Sequence, residues 1–191
     1  MIDVINHRCI KCEITHTSPY RNEGCCLRCF INFFPEKPVF RNHKVKERDA
    51  VLFVINNFPD ATWIEDKRVA DGCSYRRPDL LLHLGYQVII VEIDENQHYT
   101  YDPSCENRRM RELHQDVDNY PLVFLRFNPD KYDDVKSCWT QNCHGIDVLH
   151  KDRVAEWGMR LDTLKREIEF HMREENRTMK GIQIVRLFYD T

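Results

Sequence analysis

The chain has 191 residues, of which 42% are hydrophobic, 11% aromatic and 31% charged, and its formal net charge is -3 at pH 7. This composition is typical of a globular domain with a small appendage, and only six glycines and eight prolines exclude a low-complexity chain. The longest apolar run, at residues 88–91, is far shorter than the roughly 18 residues of a membrane span. The first eight residues lack the apolar core of an export signal. We therefore expect an intracellular protein without a membrane partner.

The charge is distributed unevenly along the chain. Residues 1–50 contain nine Lys and Arg and six Asp and Glu, a net charge of +3, so the remaining 141 residues carry -6. A basic N-terminal part suits contact with phosphates, and an acidic remainder suits metal binding. Ordinary surface charge explains the same distribution, so both interpretations stay open.

The cysteines at the start of the chain have the spacing of a metal site. Cys9-Ile-Lys-Cys12 and Cys26-Leu-Arg-Cys29 are two CxxC turns separated by thirteen residues, and nine cysteines without an export signal favour metal binding over disulfides. Four thiolates satisfy the tetrahedral shell of structural Zn²⁺. Cys25 is an alternative ligand to Cys26, and reduced buried cysteines are the other interpretation. We expect a zinc-binding module at residues 1–38 and a core at 39–191.

Apolar spacing and turn residues predict the elements of the core in chain order. Three helices are expected, at residues 44–57, 103–118 and 154–172. Five strands are expected, at residues 62–69, 79–84, 87–94, 122–127 and 182–189. The turn Gly85-Tyr86 makes the second and third strands a hairpin, and residues 131–150 are expected to form a loop. This order describes an α/β fold, a mixed sheet flanked by helices.

Carboxylates converge at one end of the predicted hairpin. Asp79 begins one strand, and Glu92 and Asp94 end the next, so antiparallel pairing places Asp79 opposite Glu92 or near it. Glu92 and Asp94 are two residues apart and face the same side of the strand. Three like charges repel unless a cation neutralises them, and Mg²⁺ or Mn²⁺ prefers such oxygen ligands. The alternatives are a turn cap at Asp79 and a solvated strand end at Glu92 and Asp94.

Two further residues fit phosphodiester hydrolysis. His98 lies four residues after Asp94, where it can activate a water molecule or protonate the leaving group. Glu47, on the first predicted helix, is a further candidate ligand or water-positioning group. A lone histidine is more often structural than catalytic, so this role depends on the neighbouring carboxylates.

The motifs resemble the PD-(D/E)XK nuclease superfamily. Pro78-Asp79 matches the first half of its motif and Glu92-Ile93-Asp94 the second, with Asp94 in place of the usual lysine. The branch resembled most is the very-short-patch-repair (Vsr)-like group with its EDxHD homing-endonuclease relatives. The resemblance implies a restriction-endonuclease-like sheet, with Asp79 as principal metal ligand and His98 as water activator. It also implies that Arg109 compensates for the missing lysine.

A longer string of residues is similar to nuclease-like proteins of large DNA viruses and protists. It comprises Lys46-Glu47, Asp66-Lys67, residues 74–79 and 92–98, Cys105-Glu106 with Arg109, and residues 126–130. The resemblance implies a Mg²⁺- or Mn²⁺-dependent endodeoxyribonuclease, of homing type or a repair nickase, in the nucleus, the cytoplasm or a viral factory. The alternatives are a non-catalytic zinc-containing DNA-binding protein on a nuclease scaffold and a zinc-dependent adaptor for protein partners.

Basic residues supply the candidates for DNA contact. Phosphates are bound mainly by Arg and Lys side chains, although each of these residues can instead form a salt bridge with the acidic cluster. The candidates are Arg41, Lys44, Lys46, Arg76, Arg77 and Arg108, and Arg109 and Arg126 are further candidates for phosphate contact or for transition-state charge. DNA is thus the expected partner, and a double-strand cut would favour a homodimer.

Overall fold

The structure is a computed structural model that describes residues 8–13, 22–34, 36–37, 44–70, 72–98, 103–143 and 145–191. These residues belong to two compact units, one formed by residues 1–45 with 139–150 and the other by residues 46–138 with 151–191. The boundary expected between residues 38 and 39 lies outside the described residues. Among the helices described, none is long and apolar enough to cross a membrane.

The helices and strands follow the predicted order closely. The helices are α1 (Leu27–Phe33), α2 (Val45–Asn57), α3 (Pro103–Asp116) and α4 (Val154–His171). The strands are β1 (Ile64–Glu65), β2 (Leu80–His83), β3 (Val88–Ile93), β4 (Leu122–Phe127), β5 (Trp139–Gln141), β6 (Asp147–Leu149) and β7 (Ile182–Leu187). The prediction of an unbroken loop at residues 131–150 is wrong, because β5 and β6 pair there as an antiparallel hairpin.

The larger unit is built on a five-stranded mixed sheet with the order β1-β2-β3-β4-β7. β1 pairs with β2, and β2 with β3, in antiparallel fashion, whereas β3, β4 and β7 run parallel. The carboxyl ends of these three parallel strands therefore meet at the edge where β2 begins. We call this the carboxyl edge. In open sheets with parallel strands, ligands bind outside this edge.

The central strands are buried on both faces because helices flank the sheet. Every residue of β3 and β4 is buried. Leu113 and Val117, in and just after α3, pack in one cluster with Ile90, Leu122 and Phe124 of the sheet. Fully burying each such side chain stabilises the fold by about 1.5–3 kcal/mol, which fixes the positions of both central strands.

β1 is shorter than the predicted strand at residues 62–69. Asp66 has a φ of 41°, which ends the extended backbone directly after Glu65. The Asp66 N–H still donates to the Asp79 carbonyl at 3.2 Å. The segment from residue 66 onward thus leaves the sheet beside the start of β2.

Gly72 gives a test of how tightly this segment is packed against α3. A Cβ atom at residue 72 would lie 2.8 Å from Cγ of Asp116, whose carboxylate accepts hydrogen bonds from the N–H and hydroxyl of Ser74. We expect Gly72→Ala to lower the free energy of unfolding by about 1–3 kcal/mol because the contact overpacks, as measured by urea denaturation. Gly158→Ala is the matched control, since a Cβ atom added at residue 158 in helix α4 would meet no atom within 4 Å. It should stabilise by roughly 0.5–1 kcal/mol, and equal effects of the two changes would contradict the packing.

Candidate functional site

Four cysteine sulfurs converge in the smaller unit. The Sγ atoms of Cys9, Cys12, Cys26 and Cys29 all lie within 4.8 Å of one another. The Sγ atoms of Cys12 and Cys26 are 3.9 Å apart, close to the ~3.8 Å edge of a tetrahedron whose Zn–S bonds are about 2.3 Å. The donor set and its spacing therefore fit zinc, and these four cysteines could bind a metal such as zinc.

The local backbone explains why Cys26, and not Cys25, completes this group. Gly24 has a φ of 75°, and its carbonyl accepts the N–H of Ile10 at 3.1 Å, which joins the two CxxC turns. Cys26 is the N-cap of α1, so Cys26 and Cys29 lie one helical turn apart. Cys25 is fully buried beside the cluster but outside the group.

The cysteine thiols differ in acidity because their surroundings differ. Burial alone would raise the pKa of Cys9, but the backbone N–H groups of Cys12, Cys26 and Lys11 lower it to about 6. Burial and the neighbouring Cys26 raise the pKa of Cys29. A bound cation removes such a difference, since a coordinating thiol is deprotonated outright.

At the carboxyl edge the hairpin places Asp79 beside the end of β3, as predicted. Leu80 is paired with Val91 in the register, and Oδ2 of Asp79 accepts the backbone N–H of Ile93 at 2.7 Å. The Asp79 carboxylate therefore lies next to the backbone that carries Glu92. This contact fixes one carboxylate at the edge of the sheet, beside the backbone of Ile93.

Glu92 is buried and faces an arginine from α3. Nη2 of Arg109 donates to both carboxylate oxygens of Glu92, at 2.8 and 3.0 Å, and also to the carbonyl of Arg77 at 3.0 Å. Burial, with the charges of Asp79 and Asp94, raises the pKa of Glu92 to about 8 although Arg109 opposes the shift. The Arg109 side chain is 28% exposed and that of Glu92 is 10% exposed, so the arginine is the partner that has room to move.

Asp94 belongs to a different and more deeply buried network. Its Oδ2 accepts Nε of Arg126 at 2.5 Å and the hydroxyl of Tyr189. Arg126 also pairs with Glu106 of α3. Burial and the Asp94 charge raise the pKa of Tyr189, so this hydroxyl stays protonated and donates. The Asp94 side chain is 1% exposed, and its charge is balanced inside the protein.

The expected cluster of three metal-binding carboxylates is therefore not what the structure shows. Within the described ranges, the four cysteines are the group of three or more ligands that could hold an ion, and Asp79, Glu92 and Asp94 do not form another. Asp94 departs from the prediction because Arg126 neutralises it. A cavity of about 10 Å³, whose lining includes Glu92, Asp94, Arg109 and Arg126 but not Asp79, has room for roughly one water molecule. Two carboxylates, Asp79 and Glu92, still meet at the edge.

The other predicted catalytic residues are placed only in part. His98 ends a short turn at Glu95–His98 directly after Asp94, and its side chain lies outside the described part of the chain. Glu47 lies in the first turn of α2 and is half-buried. Their roles stay predictions.

The predicted DNA contacts differ in burial and in the partners that the structure gives them. Lys46 is not on the surface as expected, because it is 7% exposed and its ammonium pairs with Asp130 at 2.7 Å. Arg76 and Arg108 both pair with Glu112, at 2.7 and 2.9 Å. The candidates Lys44 and Arg77 are exposed, and Arg41 lies outside the described residues.

The residues that balance the buried charge were only partly predicted from the sequence. Arg126 was a candidate either for a phosphate contact or for a salt bridge with the acidic cluster, and the structure shows the salt bridge; Tyr189 was expected only at the end of a strand. One signal was available, since an arginine inside the otherwise apolar run of residues 122–127 needs a buried partner. For Asp130, in contrast, the sequence indicated only that the residue lies in a turn.

Comparison of the chain with protein-family models, with curated proteins and with solved structures finds no match. The cysteine cluster and the carboxyl edge are therefore the features that bear on function.

Proposed function

We propose that the protein is a metal-dependent DNA endonuclease with a restriction-endonuclease-like larger unit and a structural zinc site. The observation that carries this proposal is the position of Asp79 beside Glu92 at the carboxyl edge, where Oδ2 of Asp79 lies 2.7 Å from the nitrogen of Ile93. The order of α2, three strands, α3 and β4 agrees with the architecture that the motif resemblance implies.

Asp79 and Glu92 are the residues that would hold a divalent cation. Mg²⁺ in nucleotide-processing sites commonly takes only one or two carboxylates and completes its shell with water and substrate phosphate. A Mg²⁺ or Mn²⁺ ion bound there would supply Lewis-acid activation of the phosphodiester and a lowered pKa for water. Without Asp94, the two carboxylates of Asp79 and Glu92 are therefore enough for such a site.

Arg109 takes the place that the motif lysine has in related enzymes. Its guanidinium now neutralises Glu92, at 2.8 Å, and a partly exposed arginine suits bidentate contact with a phosphate. We propose that Arg109 leaves Glu92 when a divalent cation binds there and then contacts the substrate phosphate. His98 then acts as the base that takes a proton from the attacking water, the role that the resemblance implies for it.

Asp94 and Arg126 act indirectly on the same edge. Their buried ion pair, with Tyr189 and Glu106, joins the ends of β3 and β4 to α3. Removing one member of a buried pair leaves an uncompensated charge, which is strongly destabilising. These residues thus keep Glu92 in position without contacting DNA.

The cysteine cluster has a structural role in this proposal. Four sulfur ligands close the zinc shell and leave no position for a substrate, unlike the open shells of catalytic zinc. The exposed Lys44, with Arg41 nearby in sequence, would add phosphate contacts that position the duplex without reading its bases.

Plasmid cleavage tests the proposal directly. The zinc-loaded full chain is incubated with supercoiled plasmid and with mismatched and branched synthetic duplexes, in Mg²⁺, in Mn²⁺ and in EDTA. We expect nicked or linear product with either cation, and its loss in EDTA. A set of substrates that stays intact in both cations, with protein that is folded, would contradict the proposal.

A second candidate is a DNA-binding protein that keeps the nuclease scaffold without catalysis. The specific observation in its favour is that arginines already neutralise Glu92 and Asp94 in the structure. It predicts tight, salt-dependent DNA binding with no cleavage and no dependence on Mg²⁺. The same incubation therefore separates the two candidates when a gel-shift measurement is added.

A further inference from the structure

The turn after β3 has a backbone conformation that needs support from elsewhere. Asn96 and Gln97 both have positive φ angles, 54° and 52°. Left-handed conformations cost non-glycine residues free energy and persist where the surroundings fix them. Nε2 of Gln97 donates to the Lys131 carbonyl at 3.1 Å, and its Oε1 accepts the Asp190 N–H at 2.9 Å. The segments that follow β4 and β7 thus hold Gln97.

Asn96, the other residue with a positive φ, is held by Asp130. Oδ2 of Asp130 accepts the Asn96 N–H at 2.8 Å, while Oδ1 accepts Nζ of Lys46 at 2.7 Å. Asp130 is 4% exposed, and the segment that carries it is fixed in turn, since Nη1 of Arg160 donates to its carbonyl at 2.6 Å. The Asp130 N–H also donates to Oδ1 of Asn128 at 2.9 Å.

The geometry requires a carboxylate at residue 130. The buried Lys46 ammonium and, at 3.5 Å, the Ser137 hydroxyl approach Oδ1, whereas the Asn96 N–H approaches Oδ2. An ionised Asp or Glu accepts at both oxygens. An asparagine has one acceptor oxygen, so it can satisfy either Lys46 or Asn96 but not both. A shorter side chain would remove the acceptor of the Asn96 N–H and the ion-pair partner of Lys46 together.

We propose that Asp130 is a positioning residue that fixes the turn Glu95–His98 and so sets the direction in which the chain carries His98. The inference rests on the proposed function for the chemical role of His98. Its physical part, the control of the turn by Asp130, is independent of any activity.

Amide hydrogen exchange measured by NMR on the zinc-loaded full chain tests the physical part. Asp130→Ala removes the acceptor of the Asn96 N–H, and we expect that amide to exchange about tenfold faster or more, the equivalent of one lost hydrogen bond. The Ile93 amide, bound to Asp79, should keep its rate. The exposed Asp134 in the same loop supplies the control variant Asp134→Asn, which should change neither rate. An unchanged Asn96 rate in Asp130→Ala overturns the inference.

A rescue experiment separates local positioning from general destabilisation. Asp130→Asn alone should also accelerate Asn96 exchange, because its oxygen turns to Lys46. Adding Lys46→Met removes the competing donor, so the double variant should restore slow exchange at Asn96. The comparison of the single and double Asn variants replaces Asp130→Ala if that protein does not fold. Failure of the double variant to slow the exchange overturns the inference.

Cleavage kinetics test the link to His98. We expect Asp130→Ala, or Asp130→Asn, to lower kcat about tenfold or more. KM for DNA should stay within about twofold, because Asp130 is buried and supports the turn without contacting DNA. A kcat equal to that of wild type, with fast Asn96 exchange, overturns the link. Wild type that cuts no substrate overturns the proposed function instead, and the exchange rates still decide the role of Asp130.

Discussion

The Asp79→Asn variant is expected to cut DNA at least about 100-fold more slowly than wild type, since a bound metal supplies several kcal/mol of transition-state stabilisation. The substitution is nearly isosteric. The amide oxygen of asparagine can still accept the Ile93 N–H, so the hairpin end should keep its structure. The change therefore removes the negative charge of Asp79 and keeps the size of the side chain. Single-turnover cleavage at saturating Mg²⁺ measures the effect.

Two controls make the Asp79 result specific. Asp60 is an exposed acidic residue of the same unit, and Asp60→Asn should cut at the wild-type rate. Thermal denaturation should show that Asp79→Asn unfolds within a few degrees of wild type. A variant that folds and still cuts at the wild-type rate would remove Asp79 from the catalytic machinery and refute the ligand assignment.

The Cys26→Ser variant is expected to lose its bound zinc. Cys26 is both a sulfur donor and the N-cap of α1, so its loss opens the metal shell at the start of a helix. The effect on zinc affinity should exceed the roughly 10–100-fold cost of losing an outer partner of a metal ligand. Because metal binding supplies the folding free energy of small zinc modules, the amide signals of residues 22–34 should collapse to those of an unfolded chain.

Cys25→Ser is the matched control for zinc. Cys25 is adjacent in sequence and fully buried, yet it lies outside the group of four sulfurs. Metal analysis of the purified proteins should give one zinc per chain for wild type and for Cys25→Ser, and none for Cys26→Ser. The reverse result would mean that Cys25 is the ligand and that the register of the second CxxC turn is shifted.

Much of the fold follows from local patterns that the sequence displays openly. The turn Gly85-Tyr86 and the apolar runs on either side predict the β2–β3 hairpin, and the observed register places Asp79 beside the end of β3 as expected. Helices and strands of the larger unit lie within a few residues of their predicted bounds because their periodicity is strong. The hairpin at residues 139–149 was missed because its strands have only three residues each.

The partners of the buried charges could not be predicted in the same way. Arg126 meets Asp94 because β4 runs parallel to β3 and pairs Glu92 with Arg126 in the register, a contact set by a long crossover. Nothing local fixes such a register in a sequence read alone. From the sequence, Arg109 and Arg126 were therefore equally open to a contact with phosphate and to a salt bridge, and the acidic cluster was assigned to metal.

The partner of Lys46 could not be predicted from the sequence either. In sequence it belongs to the basic stretch at residues 41–48, which favours a surface contact with phosphate. In the structure it faces Asp130, 84 residues further along the chain, and both are buried. A charged residue at a helix start gives no local sign of such a distant partner, whereas the cysteine pattern carries its spacing within a few residues.

The central claim is that Asp79 and Glu92 share a divalent cation and that Arg109 leaves Glu92 when the cation binds. A crystal structure of the zinc-loaded chain in saturating Mn²⁺, with diffraction data from both sides of the manganese absorption edge, measures this most directly. The account predicts a manganese peak between the two carboxylates, with the Arg109 guanidinium turned away from Glu92. Arg109 still bound to both oxygens of Glu92, with no manganese peak at the carboxyl edge, would contradict it.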